Sequence, residues 1–178
     1  MAMADPRPGR LHPGDPLSGR ALNVPVLGER QHVYLLPGQL HASAEPSQIR
    51  TILGSCVSIC LWDKRRLAGG MNHFLLPASR EREPESLRFA DVATKALLER
   101  LLLLGCLPPN LQAKIFGGSL MFQNQDRYAA SLGAKNVAAA LWLMKSAGIS
   151  VTAQDTGGNH GRRIVFNSDD GTAWSRRI

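Results

Sequence analysis

The chain has 178 residues, 44% of them hydrophobic, with 21 Lys and Arg against 14 Asp and Glu and a formal charge of +7. That length and balance suit one soluble domain with its own core. They exclude a membrane-embedded protein, because no apolar run approaches the roughly 20 residues that a spanning helix needs. The basic N-terminus is interrupted by Pro6, Pro8, Pro13 and Pro16, so it lacks the continuous apolar stretch of a secretory signal and a cytoplasmic location is expected. Arg and Lys are scattered over the tail, loops and C-terminus, with no basic stripe interleaved with aromatics. The charge therefore reads as solubility, with no nucleic-acid partner expected.

Residues 1–30 hold five prolines, several glycines and alternating charges, and are expected to form a disordered tail before a domain at 31–178. Order is predicted to begin at His32–Leu36, a strand stopped by Pro37-Gly38. Short extended pieces follow at Gln39–Ser43 and Ile49–Leu53, the latter leading into Gly54-Ser55-Cys56. Val57–Trp62 is β-rich, Asp63-Lys64-Arg65-Arg66 reads as a turn, and Leu67–Leu76 carries Gly69-Gly70 and His73. Residues 78–86 lack apolar periodicity and are expected to form a mobile surface loop, placed where a lid or docking surface could sit.

Leu87–Leu104 shows apolar residues at three- and four-residue steps, ended by Gly105 and Pro108-Pro109, which predicts a helix. Gln112–Phe116 reads as a strand into Gly117-Gly118. A second helix is predicted from Leu132 or Ala134 to Ala147, with Val137, Leu141 and Met144 on one face. Strands at Ile149–Gln154 and Arg163–Phe166 flank the Gly-rich block 155–162, and Asp169-Asp170-Gly171 turns into a last strand near Thr172–Trp174. The sum, eight to ten strands and two main helices, predicts an α+β single domain with mostly antiparallel sheets packed in layers.

The three cysteines, Cys56, Cys60 and Cys106, cannot all pair with one another and show no C-x-x-C spacing, so free thiols are expected. Cys60 and Cys106 read as core residues. A zinc site built from Cys56, Cys60, His73 and His160 lacks the second closely spaced ligand pair, so no metal or other cofactor is expected. Gly157-Gly158-x-x-Gly161 does not open a helix after a strand and reads as a tight turn rather than a dinucleotide loop. Cys56 and His73 remain. Small residues beside the thiol and a Gly-Gly pair before the imidazole suit a nucleophile with its base, held as a thiolate–imidazolium pair, with backbone N–H groups around Ser55–Val57 facing an oxyanion. A buried core cysteine and a hydrogen-bonded strand histidine account for the same spacing.

The blocks T-I-L-G-S-C-V-S-I-C-L-W-D and A-G-G-M-N-H-F-L-L-P strongly resemble the chemoreceptor glutamine deamidase family, CheD. The resemblance continues through Lys114–Gly118, Met121-Phe122, Gly133–Val137 and Asp155–Arg162, and covers about residues 32–175. It implies Cys56 as nucleophile, His73 as general base and Thr51 as third member of a triad. The implied reaction is hydrolysis of glutamine side chains to glutamate on methyl-accepting chemotaxis receptors, by an acyl-enzyme route. Some family members bind the chemotaxis phosphatase CheC, which makes a CheC-type phosphatase a candidate partner, with Phe116-Gly117-Gly118 and its surroundings a candidate docking place. The alternatives are a non-catalytic regulatory module using the same groove, or another cysteine acyl-transfer enzyme such as a transglutaminase or thiol protease.

Overall fold

The computed structural model describes residues 29–79, 85–120 and 127–178. Nine strands and two α-helices run β1 (Gln31–Tyr34), β2 (Gln39–Ser43), β3 (Ser47–Leu53), β4 (Val57–Asp63), β5 (Ala68–His73), α1 (Ala90–Leu103), β6 (Leu111–Gly117), α2 (Arg127–Ser146), β7 (Ser150–Thr156), β8 (Arg162–Asn167) and β9 (Ala173–Arg177). A 3-10 turn at Pro108–Asn110 leads into β6. The strands form a five-stranded sheet, β2-β5-β4-β6-β7, and a four-stranded sheet, β1-β3-β8-β9. This is the expected α+β domain. The pairs β1–β3 and β6–β7 are parallel and the other five are antiparallel.

The layering follows from the side-chain alternation of the central strands. On one face of the five-stranded sheet Val57, Ile59, Leu61, Ala113 and Ile115 pack against Ala90, Ala93, Leu97 and Leu101 of α1 and Ala140 and Met144 of α2. On its other face Cys60, Met71 and Phe116 meet Ile49, Leu53, Ile164 and Phe166 of the four-stranded sheet. The order is helices, five-stranded sheet, four-stranded sheet. Strand β4, covered on both sides, is buried at every residue but Trp62, and five of its seven residues are apolar.

Several predicted boundaries move, each for a local reason. Helix α1 starts at Ala90 rather than Leu87 because the preceding residues extend the sheet: Leu75 and Leu76 donate to the Arg88 carbonyl, and Leu76 and Phe89 form a bridge. Helix α2 starts at Arg127, ahead of the predicted Leu132 or Ala134. Its buried face carries Asn136, Ala140 and Met144, while Leu141 is exposed alongside Trp142. The Gly-Gly pair of β5 is explained by close packing, since a Cβ at Gly70 would lie 2.6 Å from the His41 carbonyl and 2.7 Å from Leu97. The predicted surface loop at 78–86 falls partly outside the described residues, and the predicted tail lies outside them up to residue 28. Arg30 is pinned by Asp169 at 2.9 Å and Asp170 at 2.7 Å. No helix among the described residues is long and apolar enough to cross a membrane.

Candidate active site

Cys56 and His73 sit at one end of the β4–β5 pair. Val57 and Phe74 exchange both backbone hydrogen bonds, at 3.1 and 3.0 Å, so the residues before each of them stand diagonally across the pair. Val57 and Phe74 point toward the helices, which turns Cys56 and His73 to the opposite face, toward the four-stranded sheet. Beside His73 the Ile59 N–H donates to the Asn72 side-chain carbonyl at 2.9 Å. Thr51 comes from that second sheet, on the inward face of β3, and is buried. The structure thus joins Thr51 of one sheet to His73 of the other at 2.8 Å and places Cys56 on the same face as His73, while among the described residues no hydrogen bond links the Cys56 thiol to the imidazole.

The Thr51 hydroxyl lies 2.8 Å from His73 Nδ1 and 2.8 Å from the Leu35 carbonyl oxygen. A carbonyl only accepts, so the single hydroxyl proton goes to Leu35 and Nδ1–H donates to Thr51. That chain of bonds fixes the tautomer and leaves Nε2 as the basic nitrogen. Nε2 is buried and has no hydrogen-bond partner among the described residues. A buried imidazole nitrogen left open in this way suits a group that exchanges protons with a ligand.

Burial governs the electrostatics. It lowers the His73 pKa to about 4, with the Leu35 carbonyl acting weakly in the other direction. It also raises the Cys56 thiol, against a smaller opposing effect of that residue's own backbone N–H. Both shifts disfavour charge, on the thiol and on the imidazole alike. Cys60 is fully buried and its thiol is pushed far up by burial, in keeping with a core role. Among the described residues no group of three or more His, Cys, Asp and Glu could hold a metal ion.

Three further residues shape the nucleophile turn, and sequence reasoning gave none of them a role. Asn136 of α2 is fully buried and its Nδ2 donates to the carbonyls of Ser55 at 3.0 Å and Leu75 at 2.8 Å. It ties the turn before Cys56 to the segment after His73. Ser119 holds the turn from the other side, its N–H donating to the Gly54 carbonyl at 2.8 Å. The Ser119 hydroxyl donates to the His160 carbonyl at 2.6 Å and accepts from Arg162 at 2.5 Å. Arg162, 2% exposed, is paired with Asp155 at 2.8 Å. The only sequence signal for any of these was a polar side chain, Asn136, on the apolar face of a helix.

Gly117 and Gly118 complete the support. Both have positive φ, +108° and +71°, and the Gly118 N–H donates to the Cys56 carbonyl at 2.8 Å. A Cβ on Gly117 would drive into that same carbonyl. Of the amides expected to face an oxyanion, Val57 N–H is committed to Phe74.

A thiol and an imidazole with one oriented nitrogen, on one face of the same sheet, are the residue types that a cysteine acyl-transfer site uses. The family model described as CheD chemotactic sensory transduction matches residues 75–177. The chain is 46% identical over 155 residues to a protein of Anaeromyxobacter dehalogenans named probable chemoreceptor glutamine deamidase CheD 1, covering 87% of this chain and 90% of that one. It is 38% identical over 138 residues to a probable chemoreceptor glutamine deamidase CheD of Trichlorobacter lovleyi, covering 78% and 85% of the two chains. A protein of the same name from Methanococcus vannielii is 40% identical over 141 residues, covering 79% and 91%. The chain belongs to the CheD family. The family-model match begins two residues after His73, but an alignment across 87% of the chain necessarily runs through Thr51, Cys56 and His73.

Proposed function

We propose that the protein is a protein-glutamine deamidase that acts on chemoreceptors, with Cys56 as nucleophile, His73 as general base and acid, and Thr51 as the residue that orients His73. The observation that carries this reading is the Leu35–Thr51–His73 chain of bonds, which leaves Nε2 free to take the thiol proton. Sγ bonds to the carboxamide carbon as its proton passes to Nε2, and the carbonyl electrons form an oxyanion that the Cys56 N–H stabilises. Nε2–H then protonates the amide nitrogen, the carbon–nitrogen bond breaks and ammonia leaves a thioester. Water attacks the thioester with Nε2 as base, the carbon–sulfur bond breaks, and glutamate and the thiol are produced. Burial disfavours charge on both groups, which favours moving the thiol proton to Nε2 as Sγ attacks. The product carboxylate is a group that a receptor methyltransferase can esterify, which links the reaction to chemotactic signalling.

The test is incubation with cytoplasmic fragments of chemoreceptors, read by mass spectrometry as conversion of glutamine to glutamate. Conversion is expected with the unaltered chain and its loss with Cys56→Ala and with His73→Ala, each checked for intact folding. Conversion that survives Cys56→Ala would overturn the mechanism.

A further inference from the structure

The four-stranded sheet buries one face against the core, and the opposite face is covered by none of the described elements. Burial alternates along β3 and β8, with Ile49, Thr51 and Leu53 and Arg162, Ile164 and Phe166 buried, which assigns each residue to its side. The strand registers then place the outward residues in two rows. Tyr34, Arg50, Val165 and Trp174 pair successively across β1, β3, β8 and β9. Ile52, Arg163 and Arg176 pair across β3, β8 and β9 in the next row. Tyr34 is 54% exposed and Trp174 52%, and Arg50, Arg163 and Arg176 are all exposed.

These four strands contain no Asp or Glu. Asp169 and Asp170, in the turn between β8 and β9, are taken by Arg30, and Asp155 is taken by the buried Arg162. Among the described residues Arg50, Arg163 and Arg176 have no carboxylate partner. Three unneutralised guanidinium groups so close together repel one another, and they are set among Tyr, Trp, Ile and Val. Arg, Tyr and Trp are the residues that carry most binding energy in protein interfaces. The Ile52–Arg163 pair lies next to Leu53–Arg162, and Gly54 of the nucleophile turn follows. The face therefore runs up to the edge of the sandwich where Cys56 lies.

We propose that this outer sheet face docks an acidic protein surface; resting on the function proposed above, that surface is the part of the receptor that surrounds the target glutamine. Carboxylates of the partner pair with Arg50, Arg163 and Arg176, and its apolar residues pack on Tyr34 and Trp174. Charge complementarity selects the occupant. Residues 1–28 of this chain carry two acidic residues, Asp5 and Asp15, against Arg7, Arg10 and Arg20, so they do not supply the missing negative charge. A single-stranded nucleic acid would also meet Arg and aromatic groups, but the face adjoins a site whose chemistry is directed at a side-chain amide.

The test uses the full chain carrying Cys56→Ala, so that no turnover occurs, and a labelled receptor cytoplasmic fragment followed by fluorescence anisotropy. Binding is expected to weaken as salt rises from 50 to 300 mM. The Arg163→Glu/Arg176→Glu variant is expected to raise Kd at least tenfold and to flatten the salt dependence, with Arg163→Gln/Arg176→Gln intermediate. Trp174 emission should shift on binding, and Trp174→Phe should abolish that shift. Unchanged affinity or salt dependence in both charge variants, or no binding by the parent chain, overturns the proposal. So does tighter binding of a single-stranded oligonucleotide that is lost in the same variants. With the catalytic cysteine restored, equal kcat/KM on receptor in parent and charge variants overturns the docking face and leaves the deamidase reading standing. Arginine-dependent binding without any glutamine conversion supports the face and removes that reading.

Discussion

His73 is held by a hydroxyl rather than a carboxylate, and this sets what the pair can do. The Thr51 oxygen is 2.8 Å from Nδ1, and its bond strengthens when the ring becomes imidazolium during attack. A hydrogen bond to a charged group is worth roughly 1.5–3 kcal/mol, so Thr51→Ala is expected to lower kcat about tenfold to hundredfold, and Thr51→Ser to restore most of it. Full activity in Thr51→Ala would remove the residue from the site. The low His73 pKa, about 4, carries two pH predictions. The acid limb of kcat/KM should lie near pH 4 and not in the ordinary histidine range near 6.5. Stability has the same sign: the folded pKa is depressed, so the unfolded chain binds the proton first as pH falls. The contribution is fully present above about pH 6.5 and is lost progressively down to about pH 4. Denaturant midpoints should fall by an amount equivalent to about 2 kcal/mol between pH 7.5 and 5, and His73→Asn should flatten that dependence.

Among the elements, the site depends on a helix that carries none of the chemistry. Helix α2 presents Asn136, whose Nδ2 serves the Ser55 and Leu75 carbonyls together. Asn136→Ala leaves both buried carbonyls without this donor, at a cost of about 2–4 kcal/mol. Its larger effect is expected on kcat, because the turn before Cys56 and the segment after His73 lose their common anchor. Differential scanning calorimetry and turnover measured on the same variant separate the two effects. The contact between α2 and the sheet is equally close at Gly133, where a Cβ would lie 2.5 Å from the Gly118 carbonyl. Gly133→Ala is therefore expected to lower Tm and to reduce activity together, although alanine favours helix.

At the scale of the molecule, two sheets must keep a fixed spacing if Thr51 from one is to reach His73 on the other. The apolar layer of Ile49, Leu53, Met71, Phe116, Ile164 and Phe166 supplies most of the adhesion. Asp155 adds a polar strut: it stands on β7 of the five-stranded sheet and binds Arg162 at 2.8 Å and Ser175 at 2.7 Å on the four-stranded one. Arg162 lowers the Asp155 pKa, foremost by its hydrogen bond. Asp155→Asn strands a buried guanidinium, and the loss is expected to approach the 3–5 kcal/mol typical of a broken buried pair, reduced because Asp155 is 38% exposed. Chemical denaturation measures it directly, and a change under 1 kcal/mol would show that the strut contributes little.

Local patterns in the chain were enough to determine that strands dominate, that there are two main helices, and that Cys56 and His73 form a candidate pair, whereas Thr51 entered only through the family resemblance. Apolar periodicity and Gly and Pro punctuation are short-range signals, so α1 and most strands were legible to within a few residues. Which strand joins which sheet was not, because β2 and β3 are neighbours in sequence yet enter different sheets. Only that division sets Thr51 across from His73 and opens Nε2. It also sets the electrostatics of the site, since burial, a property of the packed layers, disfavours charge on both the thiol and the imidazole. The basic residues make the same point. Scattered along the chain they read as solubility, whereas the register of β1, β3, β8 and β9 gathers Arg50, Arg163 and Arg176 with Tyr34 and Trp174 on one face. Side chains far apart in sequence become neighbours only through strand pairing, and that is decided by the tertiary structure.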